Sequence, residues 1–204
     1  MQNLRIILDA GHYPEQAGKR SPILPDGRQF FEWEANWQIC NRITELMPMA
    51  NVHYLIKPSD RNARSIDRRA FVYNSLRAKY GPTMLIVSIH SNAAGTGYRW
   101  HPAHGIECYY WHTSETGKRC AQVFQNELIT SLNWANRGIK PTKTLALLKR
   151  SLCPVVLTET GFFTNEEQVV EMLEHDYIEK TAEAHAKAIK TIQSLYAQGK
   201  ITFK

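Results

Sequence analysis

Short apolar runs alternate with longer helical patterns along the whole chain, and this alternation constrains the fold more than any other feature. The apolar runs predict strands at residues 4–8, 52–56, 84–89, 106–111 and 154–157. The helical patterns cover residues 32–47, 114–132, 166–173 and 177–196, with one more from a cap at Ser59 or Asp60 to residue 79. Strand and helix in alternation are typical of α/β domains. We therefore expect an α/β fold, a single domain with a mostly parallel or mixed central sheet flanked by helices.

No internal repeat, low-complexity segment or linker divides the 204 residues. We expect one catalytic domain over residues 1–197 and a short C-terminal tail at 198–204. No window approaches the ~20 apolar residues of a membrane-spanning helix, which predicts no membrane insertion. The four cysteines lie far apart without a CxxC pair. That spacing is typical of reduced core residues rather than of disulfides or a cysteine metal site.

The chain is basic. Lysine and arginine number 25 against 19 aspartate and glutamate residues, which gives a net charge of +6. Such a balance favours an anionic partner, such as nucleic acid, a membrane surface or an acidic polymer. The basic residues are spread along the chain and form no run of the kind that makes a nucleic-acid arm. We therefore expect no nucleic acid partner.

Unusual polar residues follow three of the predicted strands. His12 comes shortly after the first strand, His90 follows the strand at 84–89, and Glu159 follows the strand at 154–157. In open α/β sheets, binding groups collect beyond the carboxyl ends of the strands. A single histidine at such a place is more often structural than a ligand. Two histidines and a glutamate at three strand ends indicate a shared site.

Six short sequence blocks occur in a fixed order over essentially the whole chain. They are Asp-Ala-Gly-His at 9–12, Glu-x-x-x-Asn at 32–36, Arg-x-x-x-x-Asn at 69–74, Ser-Ile-His-x-Asn-Ala at 88–93, Asn-Arg-Gly-Ile-Lys at 136–140 and Glu-x-Gly-Phe-x-x-Asn at 159–165. Each block alone is weak evidence. Together, and in this order, they resemble the zinc-dependent N-acetylmuramoyl-L-alanine amidases of the amidase_3 type, which cleave bacterial peptidoglycan.

The resemblance implies that His12, Glu32 and His90 hold zinc and that Glu159 is the catalytic carboxylate. The chemistry agrees, because two imidazoles and one carboxylate form a known catalytic zinc set with a fourth position left for water. A nearby glutamate can take a proton from that water and give it to the departing amine. No serine or cysteine nucleophile is needed.

Some roles stay open at this point. Glu34 competes with Glu32 for the ligand role, and the spacing to Asn36 favours Glu32. Asp9 is expected to be a partner at the strand end rather than a ligand. The segment around 13–31 departs from the common family pattern, since it has no Gly-Gly after the first metal histidine and is longer and richer in proline. We therefore expect a different entrance to the cleft.

Asn92 and Arg137 are the candidate substrate-binding residues. Arg137, in an expected turn, could hold a substrate carboxylate as a bidentate donor, and a structural role is equally open. Tyr98 and Trp100 could stack on sugar or peptide, or fold back to plug their own loop. His101 and His104 are interpreted as exposed loop residues, with a role in substrate contact left open. The other histidines are interpreted as structural or surface residues: His53, His112, His175 and His185.

We therefore expect a zinc hydrolase that cleaves the amide between N-acetylmuramic acid and L-alanine of the stem peptide in peptidoglycan. Two alternatives stay open, a zinc peptidase that cuts within the stem peptide and a catalytically inactive wall-binding protein. The complete set of ligands, together with Glu159, argues against the inactive form. Such a substrate predicts action at the cell wall, in the periplasm or outside the cell, although no signal peptide is visible. We expect a monomer.

Overall fold

The computed structural model describes residues 3–14, 16–47, 52–55 and 64–203. Over these ranges six strands and six helices follow one another as β1 (Arg5–Ala10), α1 (Glu32–Leu46), β2 (Val52–Leu55), α2 (Ile66–Tyr80), β3 (Met84–Asn92), β4 (Ile106–Trp111), α3 (Glu115–Leu132), β5 (Asn136–Thr142), α4 (Ala146–Arg150), β6 (Val155–Phe162), α5 (Glu166–Met172) and α6 (His175–Ala197). No described helix combines the length and the apolar character that a membrane crossing requires.

The six strands form one mixed sheet in the order β2-β1-β3-β6-β4-β5. All neighbouring strands are parallel except β4 and β6, which are antiparallel. The predicted α/β class, with a mixed sheet flanked by helices, is confirmed. The order places the carboxyl ends of β1, β3 and β6 side by side, and these strands carry the polar residues singled out from the sequence.

Both faces of the sheet are covered by helices, as expected for strands with continuous apolar runs. Alternate residues of β1 show the two faces, because Ile6 and Leu8 belong to the larger core cluster and Ile7 to the smaller one. The larger cluster is completed by α1, α3 and α6, and the smaller one by α2 and α4. All four cysteines are buried, which confirms the prediction that they are core residues.

Some of the predicted helix and strand boundaries agree with the structure and others differ from it. Helix α3 begins after Ser114, whose hydroxyl accepts a hydrogen bond from the amide of Gly117 at 3.0 Å. Helix α2 begins only at Ile66, after Ser65, while the predicted caps Ser59 and Asp60 lie outside the described residues. The end of the second predicted strand, at residue 56, also lies outside them.

Strand β5 and helix α4 were not predicted from the sequence. Strand β5 pairs only with β4 at the edge of the sheet, and most of its residues are exposed or half-buried. It contains Gly138 and Pro141, and proline is tolerated in a sheet mainly on edge strands. An edge strand of this composition lacks the apolar run by which the other strands were predicted.

Two strands are longer than predicted, and this changes where the key residues lie. Strand β3 runs through Asn92 and β6 through Phe162, so His90 and Glu159 lie inside strands rather than after them. In the parallel register of β3 and β6, His90 is opposite Glu159. The two residues are therefore direct neighbours across the sheet.

The segment expected as a C-terminal tail is packed against the domain. Ile201 and Phe203 are buried in the larger core cluster. The hydroxyl of Thr116, on α3, donates to the carbonyl of Thr202 at 2.8 Å. Apolar burial and this hydrogen bond attach residues 201–203 to the larger core cluster and to α3, and the domain boundary at 197 stays a prediction.

Candidate metal centre and active site

The end of β1 brings Gly11 and His12 against the end of β3. The amide of Gly11 donates to the carbonyl of Ile89 at 2.9 Å. His12 has a φ of 67°, a left-handed conformation that is uncommon for residues other than glycine. The guanidinium of Arg69 holds this turn, since it donates to the carbonyls of Ala10 at 2.7 Å and His12 at 2.9 Å.

Three side-chain atoms meet at this turn in a nearly equilateral triangle. His12 Nε2 lies 3.1 Å from His90 Nδ1, and Glu32 Oε1 lies 3.1 Å from the former and 3.2 Å from the latter. Zinc in tetrahedral sites has bonds of roughly 2.0–2.2 Å, which places neighbouring ligand atoms about 3.3 Å apart. His12, Glu32 and His90 therefore could hold a metal ion.

The outer nitrogen of each imidazole has an acceptor, which orients the inner nitrogen. His12 Nδ1 lies 2.9 Å from Gln16 Oε1, and His90 Nε2 lies 3.1 Å from Ser88 Oγ. An N–H at each of these positions leaves the lone pairs of His12 Nε2 and His90 Nδ1 directed into the triangle. Metal-binding histidines are commonly held by such a partner on the second nitrogen. Burial lowers the pKa of His90, which favours the neutral imidazole that a metal requires.

Glu32 opens α1 and points into the triangle. Its side chain is buried, and Oε1 accepts a hydrogen bond from the amide of Ser91 at 3.1 Å. Burial would raise the pKa of Glu32, but the nearby imidazoles of His12 and His90 lower it below its ordinary value. Oε2 is buried and has no hydrogen-bond partner among the described residues, so this oxygen could serve as a second ligand atom for a metal ion. Glu34, the competing candidate, is exposed on α1.

Asp9 lies behind the triangle and outside it. Its buried carboxylate accepts hydrogen bonds from Arg69, from the hydroxyl of Tyr73 at 2.5 Å and from the hydroxyl of Ser88 at 2.5 Å. Burial would raise its pKa, but the guanidinium and the two hydroxyls lower it. Asp9 is therefore an anion that orients Ser88, and through Ser88 the imidazole of His90.

Glu159 lies on β6 beside the triangle and lines the same cleft. Its Oε2 is buried without a hydrogen-bond partner among the described residues. Burial and the carboxylate of Glu32 raise the pKa of Glu159 well above its ordinary value, while the ammonium of Lys19 opposes the rise. A carboxyl in such surroundings is suited to accept a proton and to give it back.

The cleft has a volume of about 470 Å³, and the three residues of the triangle are among those that line it. Lys19 and Arg64 line it with positive charge, and Ile66, Leu145 and Leu147 with apolar surface. Lys19 comes from the segment in which the sequence departs from the common pattern, so that segment does form part of the cleft wall. A bound chain could thus meet cationic and apolar surface in the same cleft as the triangle.

The sequence profile of the Amidase_3 family, described as N-acetylmuramoyl-L-alanine amidase, matches residues 6–191. The chain belongs to this amidase family. The predicted family, and with it the predicted amidase class of enzyme, is confirmed.

The amidase is also similar to individual proteins. It is 27% identical over 195 residues to the uncharacterized protein YqiI of Bacillus subtilis, covering 95% of this chain and 85% of YqiI. It is 28% identical over 181 residues to the N-acetylmuramoyl-L-alanine amidase LytC of Bacillus subtilis, covering 88% of this chain but 33% of LytC.

Solved structures of amidases superpose on most of the chain. The N-acetylmuramoyl-L-alanine amidase AmiC2 of Nostoc punctiforme gives a TM-score of 0.74 at 25% identity, covering 96% of this chain and 97% of AmiC2. An N-acetylmuramoyl-L-alanine amidase from Clostridium difficile 630 gives a TM-score of 0.76 at 22% identity, covering 97% and 98%. At 22% identity, the similarity to the Clostridium difficile structure shows that the two chains share a fold.

The two predicted substrate residues of the amidase lie in different places. Asn92 lines the cleft. Arg137 lies in strand β5 and not in the predicted turn, and it is not among the residues that line the cleft. Its Nε donates to Glu107 at 2.7 Å, and its guanidinium lies over the ring of Phe162 at 4.7 Å. These contacts support a structural role for Arg137, which is one of the two roles that the sequence left open.

Sequence reasoning missed Glu107 and Lys19. Glu107 is a buried carboxylate on β4, next to the cleft residue Asn92, whose side-chain amide donates to it at 2.8 Å. The available signal was a single charge inside the apolar run at 106–111. Lys19 gave no signal of its own, because one lysine in a polar loop is ordinary.

The other candidate side chains of the amidase lie away from the triangle. Trp100 packs against the larger core cluster, as a plug would, whereas Tyr98 is exposed. His185 is buried among core residues. Exposed positions are occupied by His101, His104, His112 and His175. The side chain of His53 lies outside the described residues.

Proposed function

We propose that this amidase is zinc-dependent, that His12, Glu32 and His90 hold the zinc ion, and that it hydrolyses the amide between N-acetylmuramic acid and L-alanine in peptidoglycan. The observation that carries the proposal is the triangle of two nitrogens and one oxygen, with edges of 3.1–3.2 Å. Family membership supports the substrate and action at the cell wall. The folded unit over the described residues would serve as the catalytic domain.

A zinc ion held by His12, Glu32 and His90 would supply a water of lowered pKa and a Lewis acid for the scissile carbonyl. The residues of the chain supply the rest. Ser91 and the two imidazoles keep Glu32 ionised and in place, while Asp9, acting through Ser88, keeps the ring of His90 oriented. A preorganised site of this kind needs no rearrangement during the reaction.

Glu159 moves the proton. As water adds to the amide carbon, a new C–O bond forms and Glu159 accepts the proton that the water loses. The C–N bond then breaks, and the same carboxyl gives its proton to the departing nitrogen of L-alanine. Its raised pKa and its unpartnered Oε2 support both halves of this cycle.

Metal analysis of the purified protein tests the cofactor. We expect about one zinc per chain, as in other sites with three protein ligands. A protein that folds normally in excess zinc and binds none would refute zinc dependence.

Mass spectrometry of digested peptidoglycan tests the bond. We expect intact stem peptides with a new free amine on L-alanine, and uncut glycan strands. Shortened peptides that remain attached to muramic acid would instead establish a peptidase, and zinc-loaded protein that binds peptidoglycan without releasing any product would establish a wall-binding protein.

A further inference from the structure

Glu107 is a buried carboxylate that none of the steps above uses. It lies on β4 with 2% of its surface exposed, in a sheet position opposite Glu159. Four donors converge on its two oxygens. A buried anion with so many charge-assisted partners is rigidly held.

The two oxygens of Glu107 serve different parts of the molecule. Oε1 accepts from the side-chain amide of Asn92 at 2.8 Å and from the hydroxyl of Tyr109 at 2.6 Å. Oε2 accepts from Arg137 Nε at 2.7 Å and from the ammonium of Lys140. One side of the carboxylate therefore faces the cleft residue Asn92, and the other is anchored on the edge strand β5.

Asn92 has a fully defined orientation as a result. Its Oδ1 accepts from the amide of Ala93 at 2.8 Å, and its Nδ2 donates to Glu107. Its carbonyl accepts from the amide of Phe163 at 2.9 Å, just beyond the end of β6. The contact to Ala93 is local, so Glu107 is the long-range contact that fixes the side-chain amide in the cleft wall.

We propose that Glu107 is a positioning residue of the amidase, which holds the side-chain amide of Asn92 so that this amide can contact the substrate beside Glu159. The inference rests on the proposed function. It also explains why Glu107 pairs with Arg137 and Lys140. These two cations contact Oε2 and keep the carboxylate charged and fixed in place, while Oε1 accepts the hydrogen bond from Asn92. Arg137 then supports the site through Glu107 without touching the substrate.

A double-mutant cycle on the zinc-loaded protein tests this task. Glu107→Gln, Asn92→Ala and the double variant are compared with the wild type on a soluble muramoyl peptide. We expect Glu107→Gln to raise KM by roughly 10-fold with kcat within about twofold, because uniform binding is lost. The double variant should be no worse than Asn92→Ala alone, because the effect of Glu107 passes through Asn92.

The matched control is Glu179→Gln. Glu179, on α6, also accepts hydrogen bonds from an arginine, Arg42, but does not line the cleft. Its kinetic constants should equal those of the wild type. If Glu107→Gln alone folds poorly, Glu107→Gln with Lys140→Met removes one anion and one cation, so the net charge of the group stays that of the wild type and Arg137 is the cation that remains. This double variant should show the same rise in KM.

A spectroscopic measurement separates the failure of this inference from the failure of the proposed function. The side-chain amide resonances of Asn92 are assigned by their loss in Asn92→Ala. They should shift in Glu107→Gln and stay in place in Glu179→Gln, whether or not the wild type hydrolyses peptidoglycan. Unmoved resonances, an unchanged KM in Glu107→Gln, or additive effects in the double variant would each overturn the positioning role.

Discussion

His185 makes the stability of this protein depend on pH in a way that can be calculated. The imidazole is fully buried on α6, where Nδ1 donates to the carbonyl of Thr181 at 2.7 Å and Nε2 accepts from the hydroxyl of Thr158 at 2.9 Å. Burial lowers its pKa from 6.5 to about 4. The unfolded chain therefore binds the proton more tightly, so this contribution to stability is fully present above pH 6.5 and is lost as the pH falls towards 4.

The magnitude follows from the two pKa values. One pKa step is worth about 1.4 kcal/mol, so the complete loss is roughly 3 kcal/mol. Between pH 7 and pH 5 the linkage relation gives a loss of about 2 kcal/mol in the free energy of unfolding. The variant His185→Asn removes the titrating group and should lose about 2 kcal/mol less over the same interval.

Urea unfolding at pH 7 and pH 5 measures both losses, and the linear extrapolation supplies the free energies. The variant should be less stable at pH 7, so the test uses the change with pH within each protein. Protonation of any other group, including release of bound metal, affects both proteins alike and cancels in the comparison. Equal losses in the wild type and in His185→Asn would refute the reasoning.

Three further predictions concern the site and its support. Glu159→Gln should keep the zinc but lower the rate of hydrolysis by roughly 100-fold or more, because the amide cannot accept the proton; a normal rate in the folded, zinc-loaded variant would remove Glu159 from the reaction. His90→Ala should lose zinc and activity together, whereas Glu34→Ala should keep both, as metal analysis and product release can show; the reverse result would reassign the ligands. Arg69→Met should lower the free energy of unfolding in urea by about 3 kcal/mol or more, because it leaves the carboxylate of Asp9 buried without its cation; a change below about 1 kcal/mol would contradict that account.

The sequence predicted those parts of the fold that depend on burial on both faces. The run at 84–89 and the strand β4 are largely apolar segments, and such segments have few alternatives to a central strand. Strand β5 was not predicted, because it is an edge strand with a glycine and a proline. The burial of Ile201 and Phe203 was not predicted, because two apolar residues form no periodic pattern.

The candidate site was likewise predicted from the sequence only in part. His12 and His90 could be selected because each comes at or near the carboxyl end of a strand, and Glu32 was selected over Glu34 through a spacing that the family resemblance supplied. The task of Glu107 depends on which strands are neighbours. Nothing in the sequence indicates that β4 lies between β6 and β5, antiparallel to β6 and parallel to β5, and that arrangement brings Glu107 to Asn92 and Arg137 at once.

The glycine before His12 has a consequence for how tolerant the protein is to substitution. Gly11 is not among the residues with positive φ, so its backbone conformation does not by itself require glycine. A methyl group at this position would nevertheless overlap the imidazole ring of His90. A substitution scan scored on φ and ψ alone would therefore accept alanine at position 11, whereas the volume of one methyl group would displace a histidine on the neighbouring strand.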